Sequence, residues 1–118
     1  MTNLIDYVAA QFGVEKDEMF SLTRVQNICN ARQVCMYFMR VYGGIPFTRV
    51  GMYFGKDHAT AIHACNTVER HYEMEKKFRE KVDNTLDAYV SGRLILPDTN
   101  WKSPDEEVMT EETLIELQ

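Results

Sequence analysis

The chain has 118 residues, of which 45% are hydrophobic and 11% aromatic. This is the size of one domain with enough apolar side chains for a core, so we expect a folded unit rather than a disordered chain. No phosphate-binding loop of the form Gly-x-x-x-x-Gly-Lys-Ser/Thr occurs, which excludes ATP hydrolysis by that route. Apolar runs fall far short of the roughly 18 residues that span a bilayer, and no basic-then-apolar leader is present, so we expect a cytoplasmic protein that does not enter a membrane.

Charge is distributed unevenly along the chain. The formal net charge is -5, but residues 21–63 carry five basic residues against one acidic residue, whereas residues 96–118 carry one lysine against seven acidic residues. The centre of the chain is therefore basic and its end is acidic. Three cysteines without a Cys-x-x-Cys pair indicate small buried side chains in a reducing compartment rather than disulfides.

Apolar residues recur at helical spacing through most of the chain. This periodicity predicts helices over residues 3–12, 27–42, 47–54, 57–72 and 75–90, with a short helical turn over 15–20. No window shows the alternation of a strand, so the predicted fold is an all-α bundle. In the helix from 27 to 42 we expect Arg32 and Arg40 to point outward, and in the helix from 57 we expect Ile62 to lie on the buried side with Cys65, Val68 and Tyr72.

The composition changes near residue 93. Residues 1–93 hold the periodic apolar pattern and are the predicted domain, whereas residues 94–118 are acidic, contain prolines and have few aromatic residues. We expect a disordered tail there. A weak helical pattern at Leu114 and Leu117 leaves a docking peptide as the alternative.

Residues 46–72 have the outline of a helix-turn-helix. A short helix ends at Gly55, and the next helix begins with small or polar residues that suit a major groove, since such side chains allow close approach and hydrogen bonding to base edges. These residues are Lys56, Asp57, His58, Ala59, Thr60 and His63. Any pair of helices joined by a glycine turn gives a similar outline, so the pattern alone is moderately specific.

A longer run is more specific. Phe54-Gly55-Lys56-Asp57-His58-Ala59-Thr60-Ala61-Ile62-His63-Ala64-Cys65 resembles the signature of the C-terminal DNA-binding domain of the bacterial replication initiator DnaA. The segment Ala31-Arg32-Gln33-Val34-Cys35-Met36-Tyr37 resembles the Arg-Gln segment of that domain, and Val50-Gly51 matches its Ile-Gly pair.

The resemblance implies a role for each matching position. Arg24 aligns with an arginine that enters the minor groove. Residues that hold the phosphate backbone in the family align with Arg32, Gln33, Arg40, Thr60 and His63. Those that contact base edges or thymine methyl groups align with Asp57, His58 and Ala59, and Lys56 matches the basic residue before the Asp. The chain departs from the family in a turn at Gly55 that is one residue shorter and in Ala59, where the family commonly has Thr.

Several residues also have simpler interpretations. Asp57 at a helix start can serve only as an N-cap, and Arg32 and Arg40 can be ordinary solvated charges. His58 and His63 are five residues apart, whereas helical metal ligands are three or four apart, so we expect no metal. No nucleophile or acid–base pair is evident, so we expect neither an enzyme nor a cofactor.

The sequence thus predicts sequence-selective binding of double-stranded DNA by a DnaA-type helix-turn-helix, at a site like the DnaA box. The expected role is a transcriptional regulator or replication accessory without ATPase activity, of the kind that a phage or mobile element would carry. The acidic tail suggests a protein partner. The alternative is a non-enzymatic interaction or structural protein that keeps the fold but binds DNA weakly or not at all.

Overall fold

The computed structural model of the protein describes residues 2–97. Helices dominate this part of the chain, as predicted. They are α1 (Leu4–Phe12), α2 (Lys16–Met19), α3 (Gln26–Val41), α4 (Phe47–Tyr53), α5 (His58–Met74) and α6 (Lys76–Val90). The all-α prediction is confirmed, and none of these helices is long and apolar enough to cross a membrane.

The ends of the helices follow local signals in the sequence. The side chain of Asn3 accepts a hydrogen bond from the Ile5 backbone N–H at 2.7 Å and so caps the start of α1. Gly13 ends the same helix at φ +66°, the left-handed conformation that glycine adopts without steric cost. Short-range rules of this kind are the reason that the predicted bounds and the observed bounds agree to within about two residues at most ends.

Two very short strands were not predicted. β1 (Thr2–Asn3) and β2 (Leu94–Ile95) pair in parallel, with Thr2 opposite Leu94 and Asn3 opposite Ile95. Two residues are too few to produce a recognisable alternation, and the partners are separated by the whole domain. The pair joins the two ends of the described chain.

The core is centred on α3. Its buried side chains include Val34, Cys35, Met36 and Phe38, each no more than 1% exposed. They pack against α1 and α5, and α6 packs in turn against both α5 and α1. This arrangement fixes α5 firmly in the body of the protein and leaves its first turn at the surface.

The prediction for the buried side of α5 was wrong at Ile62, which is 38% exposed. Ala61 and Ala64 are buried instead, beside the predicted Cys65 and Val68. The reason is that α5 packs against both α3 and α4, and alanines allow two helices to approach at once. The buried face of α5 is thus centred on Ala61 and Ala64, one residue before the face that contains the more apolar Ile62.

The folded region extends past the predicted boundary at residue 93. Leu94 is 3% exposed and belongs to the core cluster, and Pro97 is also buried. Residues 94–97 therefore pack with the domain rather than with the predicted tail. The possible docking peptide at Leu114 and Leu117 lies outside the described residues.

Candidate nucleic-acid interface

The turn between α4 and α5 is fixed by its own backbone. After α4 the N–H of Gly55 donates to the carbonyl of Met52 at 3.0 Å, and the N–H of Lys56 donates to the carbonyl of Gly51 at 2.8 Å. With Gly55 at φ +70°, this is the Schellman arrangement that ends a helix on a left-handed residue. The chain then reverses within three residues and enters α5.

Gly51 is required where α4 meets the start of α5. A Cβ built on Gly51 would overlap the carbonyl oxygen of Asp57 and lie 2.7 Å from its carbonyl carbon and 3.0 Å from the carbonyl oxygen of Lys56. These neighbours are backbone atoms, which cannot move aside as a flexible side chain can. The Gly of the Val50-Gly51 pair thus sets the distance between the two helices of the motif.

Asp57 caps α5, as its simpler interpretation predicted. Its Oδ1 accepts hydrogen bonds from the backbone N–H of Thr60 at 2.9 Å and from the Thr60 hydroxyl at 2.8 Å. The bond from the backbone N–H of Thr60, followed by the bond from its hydroxyl, lowers the pKa of Asp57. The Thr60 hydroxyl proton therefore points at Asp57 in this structure, and it would have to turn to reach a phosphate.

The first turn of α5 is open to solvent. His58, Ala59 and Thr60 are all exposed, and they follow directly on Asp57. The unpaired backbone N–H groups of a helix start give this end partial positive character. Polar and small side chains thus lie at the N-terminal end of α5, the end of a helix that favours negatively charged groups.

Arg32 does not point outward, and that prediction was wrong. It is 7% exposed, and its Nε donates to the carbonyl of Met19 at 2.7 Å while Nη2 donates to the carbonyl of Ser21 at 3.0 Å. The carbonyls of Met19 at the end of α2 and of Ser21 just after it have no helical partners, so the guanidinium satisfies them. Arg32 therefore ties the connection from α2 to α3 onto α3.

A cleft of about 580 Å³ lies between this connection, α3 and α5. Six of the ten predicted site residues line it, namely Arg24, Arg32, Gln33, Lys56, Thr60 and His63. Within residues 2–97, no carboxylate lies at ion-pair distance from Arg24 or Lys56. The cleft thus carries two cations that the described part of the chain does not neutralise.

Arg40 lies apart from the cleft. Its guanidinium is 4.5 Å from the centre of the Phe47 ring, and Nη1 donates to the carbonyl of Ile45 at 3.4 Å. Arg40 is exposed, so its charge faces solvent beside the start of α4. Arg40 is in the last turn of α3, whereas the residues of α3 that line the cleft come earlier in that helix.

Sequence reasoning missed the apolar part of the cleft. Leu22, Cys29 and Met36 line it beside the cations. Leu22 is 86% exposed, a large fraction for an apolar residue. The signal that could have found it is Leu22 itself, an apolar residue two positions before Arg24 and outside the predicted helices.

These features define a helix-turn-helix domain with a cationic cleft beside its second helix. The profile of the family described as "Bacterial dnaA protein helix-turn-helix" matches residues 1–68, more than half of the chain. The chain therefore belongs to the DnaA helix-turn-helix family.

Proteins named chromosomal replication initiator protein DnaA are similar to this chain in sequence. The chromosomal replication initiator protein DnaA of Spiroplasma citri is 39% identical over 87 residues, which is 73% of this chain and 19% of that protein. That of Bacteroides fragilis is 34% identical over 83 residues, or 70% of this chain and 17% of that protein. That of Desulfatibacillum aliphaticivorans is 37% identical over 75 residues. The matches thus cover about a fifth of the length of these curated relatives or slightly less.

Proposed function

We propose that this domain binds double-stranded DNA sequence-selectively, with the first turn of α5 in the major groove and Arg24 toward the adjacent minor groove. The observation that carries the proposal is the cleft beside α5, in which Arg24 and Lys56 have no carboxylate partner among residues 2–97. Phosphates are the anions that such a cleft on a helix-turn-helix would receive. The family of the chain supports the same function.

The residues of the site divide into two groups in this proposal. His58 and Ala59 at the open start of α5 read base edges, because short side chains there let the helix backbone enter the groove. Lys56, Gln33 and His63 hold phosphates, with Thr60 able to join them once its hydroxyl leaves Asp57. Asp57 acts first as the cap and only secondarily at a base.

Arg32 has a different role from the one that the resemblance implied. Because its guanidinium is buried against the carbonyls of Met19 and Ser21, we assign it to holding the connection that presents Arg24. Arg40, which is exposed beside Phe47, is left as the outlying phosphate contact. The proposed interface thus keeps Arg24, Arg40 and Lys56 as cations that face DNA. Arg32, which the resemblance also implied, is not one of them.

The test is fluorescence anisotropy with a labelled duplex carrying the DnaA box and with a scrambled duplex of the same composition. We expect His58→Ala to weaken binding to the matched duplex by about 1–3 kcal/mol and to leave the scrambled duplex unaffected. Lys56→Ala should weaken both about equally, and Lys76→Ala, which removes the same charge from the start of α6, is the control. Equal affinity of the wild-type protein for the two duplexes would contradict sequence selectivity.

Salt dependence measures the number of phosphate contacts. Lys56 and Arg40 at phosphates, together with Arg24 displacing counterions at the minor groove, predict a slope of about -2.7 for log K against log salt concentration, at about -0.9 per cation. A slope near zero on both duplexes would instead favour the second candidate, an interaction protein that has kept the fold. The internal hydrogen bonds of Arg32 and the net charge of -5 are the observations in favour of that candidate.

The proposal extends to the role of a cytoplasmic regulator or replication accessory that acts through this DNA-binding domain. A phage or mobile-element origin remains a prediction. Recovery of bound genomic fragments, followed by sequencing, tests the biological role. Fragments clustered at a replication origin would support an accessory role, whereas fragments clustered at promoters would support a regulator.

A further inference from the structure

A second cavity lies on the other half of α5. It has a volume of about 360 Å³ and is bounded by α3, α5 and α6. Its floor is apolar and includes Val68 and Val82, which are 1% and 5% exposed. Its walls carry three tyrosines and three carboxylates, namely Tyr37, Tyr42, Tyr72, Glu69, Glu73 and Asp83. We call this set the tyrosine–carboxylate pocket.

The aromatic rings of the pocket are held in place by their neighbours. Tyr37 and Tyr42 pack edge to face with centroids 6.3 Å apart, and the Tyr72 hydroxyl donates to Asp83 Oδ1 at 2.7 Å. That hydrogen bond links α5 to α6 at the pocket. One ring contact and one hydrogen bond thus connect side chains of the pocket to each other.

The electrostatic character of the pocket is negative. Burial raises the pKa of Tyr37 and the charge of Glu69 acts in the same direction, while the hydrogen bond to Asp83 raises the pKa of Tyr72. Within residues 2–97, no cation lies at ion-pair distance from Glu69 or Glu73. Aromatic faces and unpaired carboxylates both attract a cation.

Arg79 lies close to the pocket but makes no ion pair with its carboxylates. Arg79 lies 5.7 Å from the centre of the Tyr72 ring, but it does not line the cavity. Its Nε and Nη2 donate to the backbone carbonyls of Tyr72 and Glu73, each at 2.9 Å. Its hydrogen bonds thus go to the backbone and leave the carboxylates available.

We propose that the tyrosine–carboxylate pocket is a docking site for an arginine side chain of a partner protein, presented on a basic peptide segment. The guanidinium would lie against the tyrosine rings and pair with Glu69, while its methylenes cover Val68 and Val82. The exposed Glu73 would receive a neighbouring basic residue. The volume suits one long side chain and part of its backbone.

Charge complementarity selects this occupant over the chain's own C-terminal segment. Residues 96–118 carry seven acidic residues and only Lys102, so the carboxylates of the pocket would repel them. The location also allows simultaneous binding of DNA. Glu69 is eleven residues along α5 from His58, or about 16 Å, and the two cavities share no lining residue.

The experiment titrates the full chain with a hexapeptide that is acetylated at its N-terminus and amidated at its C-terminus. The peptide contains two arginines, and its other four residues are glycine and serine. Binding is followed by NMR chemical-shift changes at the backbone amides of residues 37, 69 and 72. The matched control peptide carries citrulline, which keeps the shape of arginine and removes its charge. We expect citrulline to weaken binding at least about fivefold, because both the ring contacts and the ion pair need the cation.

Protein variants test the place of binding. Glu69→Gln with Glu73→Gln should weaken binding of the arginine peptide about fivefold, whereas Glu80→Gln, an exposed carboxylate of α6 outside the pocket, should leave it unchanged. Affinity for the matched DNA duplex should not fall in either protein. Equal binding of the citrulline peptide, an equal loss in Glu80→Gln, or spermidine binding as tightly as the peptide would overturn the proposal.

Discussion

Two connections border the cationic cleft, and they are held in different ways. The turn from α4 to α5 is fixed by hydrogen bonds of its own backbone and by Gly51 and Gly55. The connection from α2 to α3 has local hydrogen bonds of Ser21 and Thr23, but it is held in addition by the guanidinium of Arg32, which reaches from α3 to carbonyls 11 and 13 residues earlier in the chain. The first connection is local, and the second depends on a buried charged side chain from another element. Only the first could be anticipated from a short stretch of sequence.

The largest effect on the local turn is expected from Gly51→Ala. The added methyl group would overlap backbone atoms of Lys56 and Asp57, so we expect a loss of about 3 kcal/mol in the free energy of unfolding, measured by urea denaturation. Gly55→Ala is the matched control, since its Cβ would meet no atom within 4 Å and only the φ of +70° opposes it. That variant should lose about 1–2 kcal/mol. Equal losses would show that close packing at Gly51 is unimportant.

The tertiary connection is tested by Arg32→Lys. An ammonium group cannot reproduce the two carbonyl hydrogen bonds of a buried guanidinium, so we expect a loss of about 2 kcal/mol in the free energy of unfolding. DNA affinity should fall as well, because the position of Arg24 depends on this connection.

A double-mutant cycle separates positioning from direct contact. If Arg32 acts through Arg24, adding Arg32→Lys to Arg24→Ala should weaken DNA binding no further than Arg24→Ala alone. Additive losses in anisotropy titrations would instead indicate that Arg32 contacts phosphate itself, as the family resemblance first implied.

The two ends of the domain offer a second tertiary contact. Ending the chain after Arg93 removes Leu94, which is 3% exposed and paired with Thr2, so we expect a loss of about 2 kcal/mol by urea denaturation. Ending it after Pro97 keeps this contact and removes only residues 98–118. We expect the second truncation to match the full chain, and equal losses in both would mean that later residues stabilise the domain.

The smallest effect concerns the cap at the start of α5. Because the hydrogen bonds from Thr60 lower the pKa of Asp57 in the folded state, its stabilisation is present above the unfolded pKa and is lost as the pH falls through the folded pKa. The melting temperature should therefore fall below about pH 4 more steeply for the wild type than for Asp57→Asn. Parallel pH profiles would show that the carboxylate charge contributes nothing to the cap.

The helices and the motif were accessible from sequence because their causes are local. Asn3, Gly13 and Asp57 each act on backbone groups within a few residues, and the apolar period marks most of the buried positions. The family signature around Lys56 and His58 then identified the open end of α5. These rules need no knowledge of what packs against each element.

The tertiary structure decided what distant elements do to individual side chains. It turned Arg32 inward, left Ile62 at the surface and paired β1 with β2. The tyrosine–carboxylate pocket likewise exists only because α3, α5 and α6 meet. Burial and pairing depend on the neighbours that arrive from elsewhere in the chain, and periodicity within one helix carries no information about those neighbours. For that physical reason the sequence by itself determined the helices and the position of the helix-turn-helix, whereas packing determined which charged side chains stay at the surface.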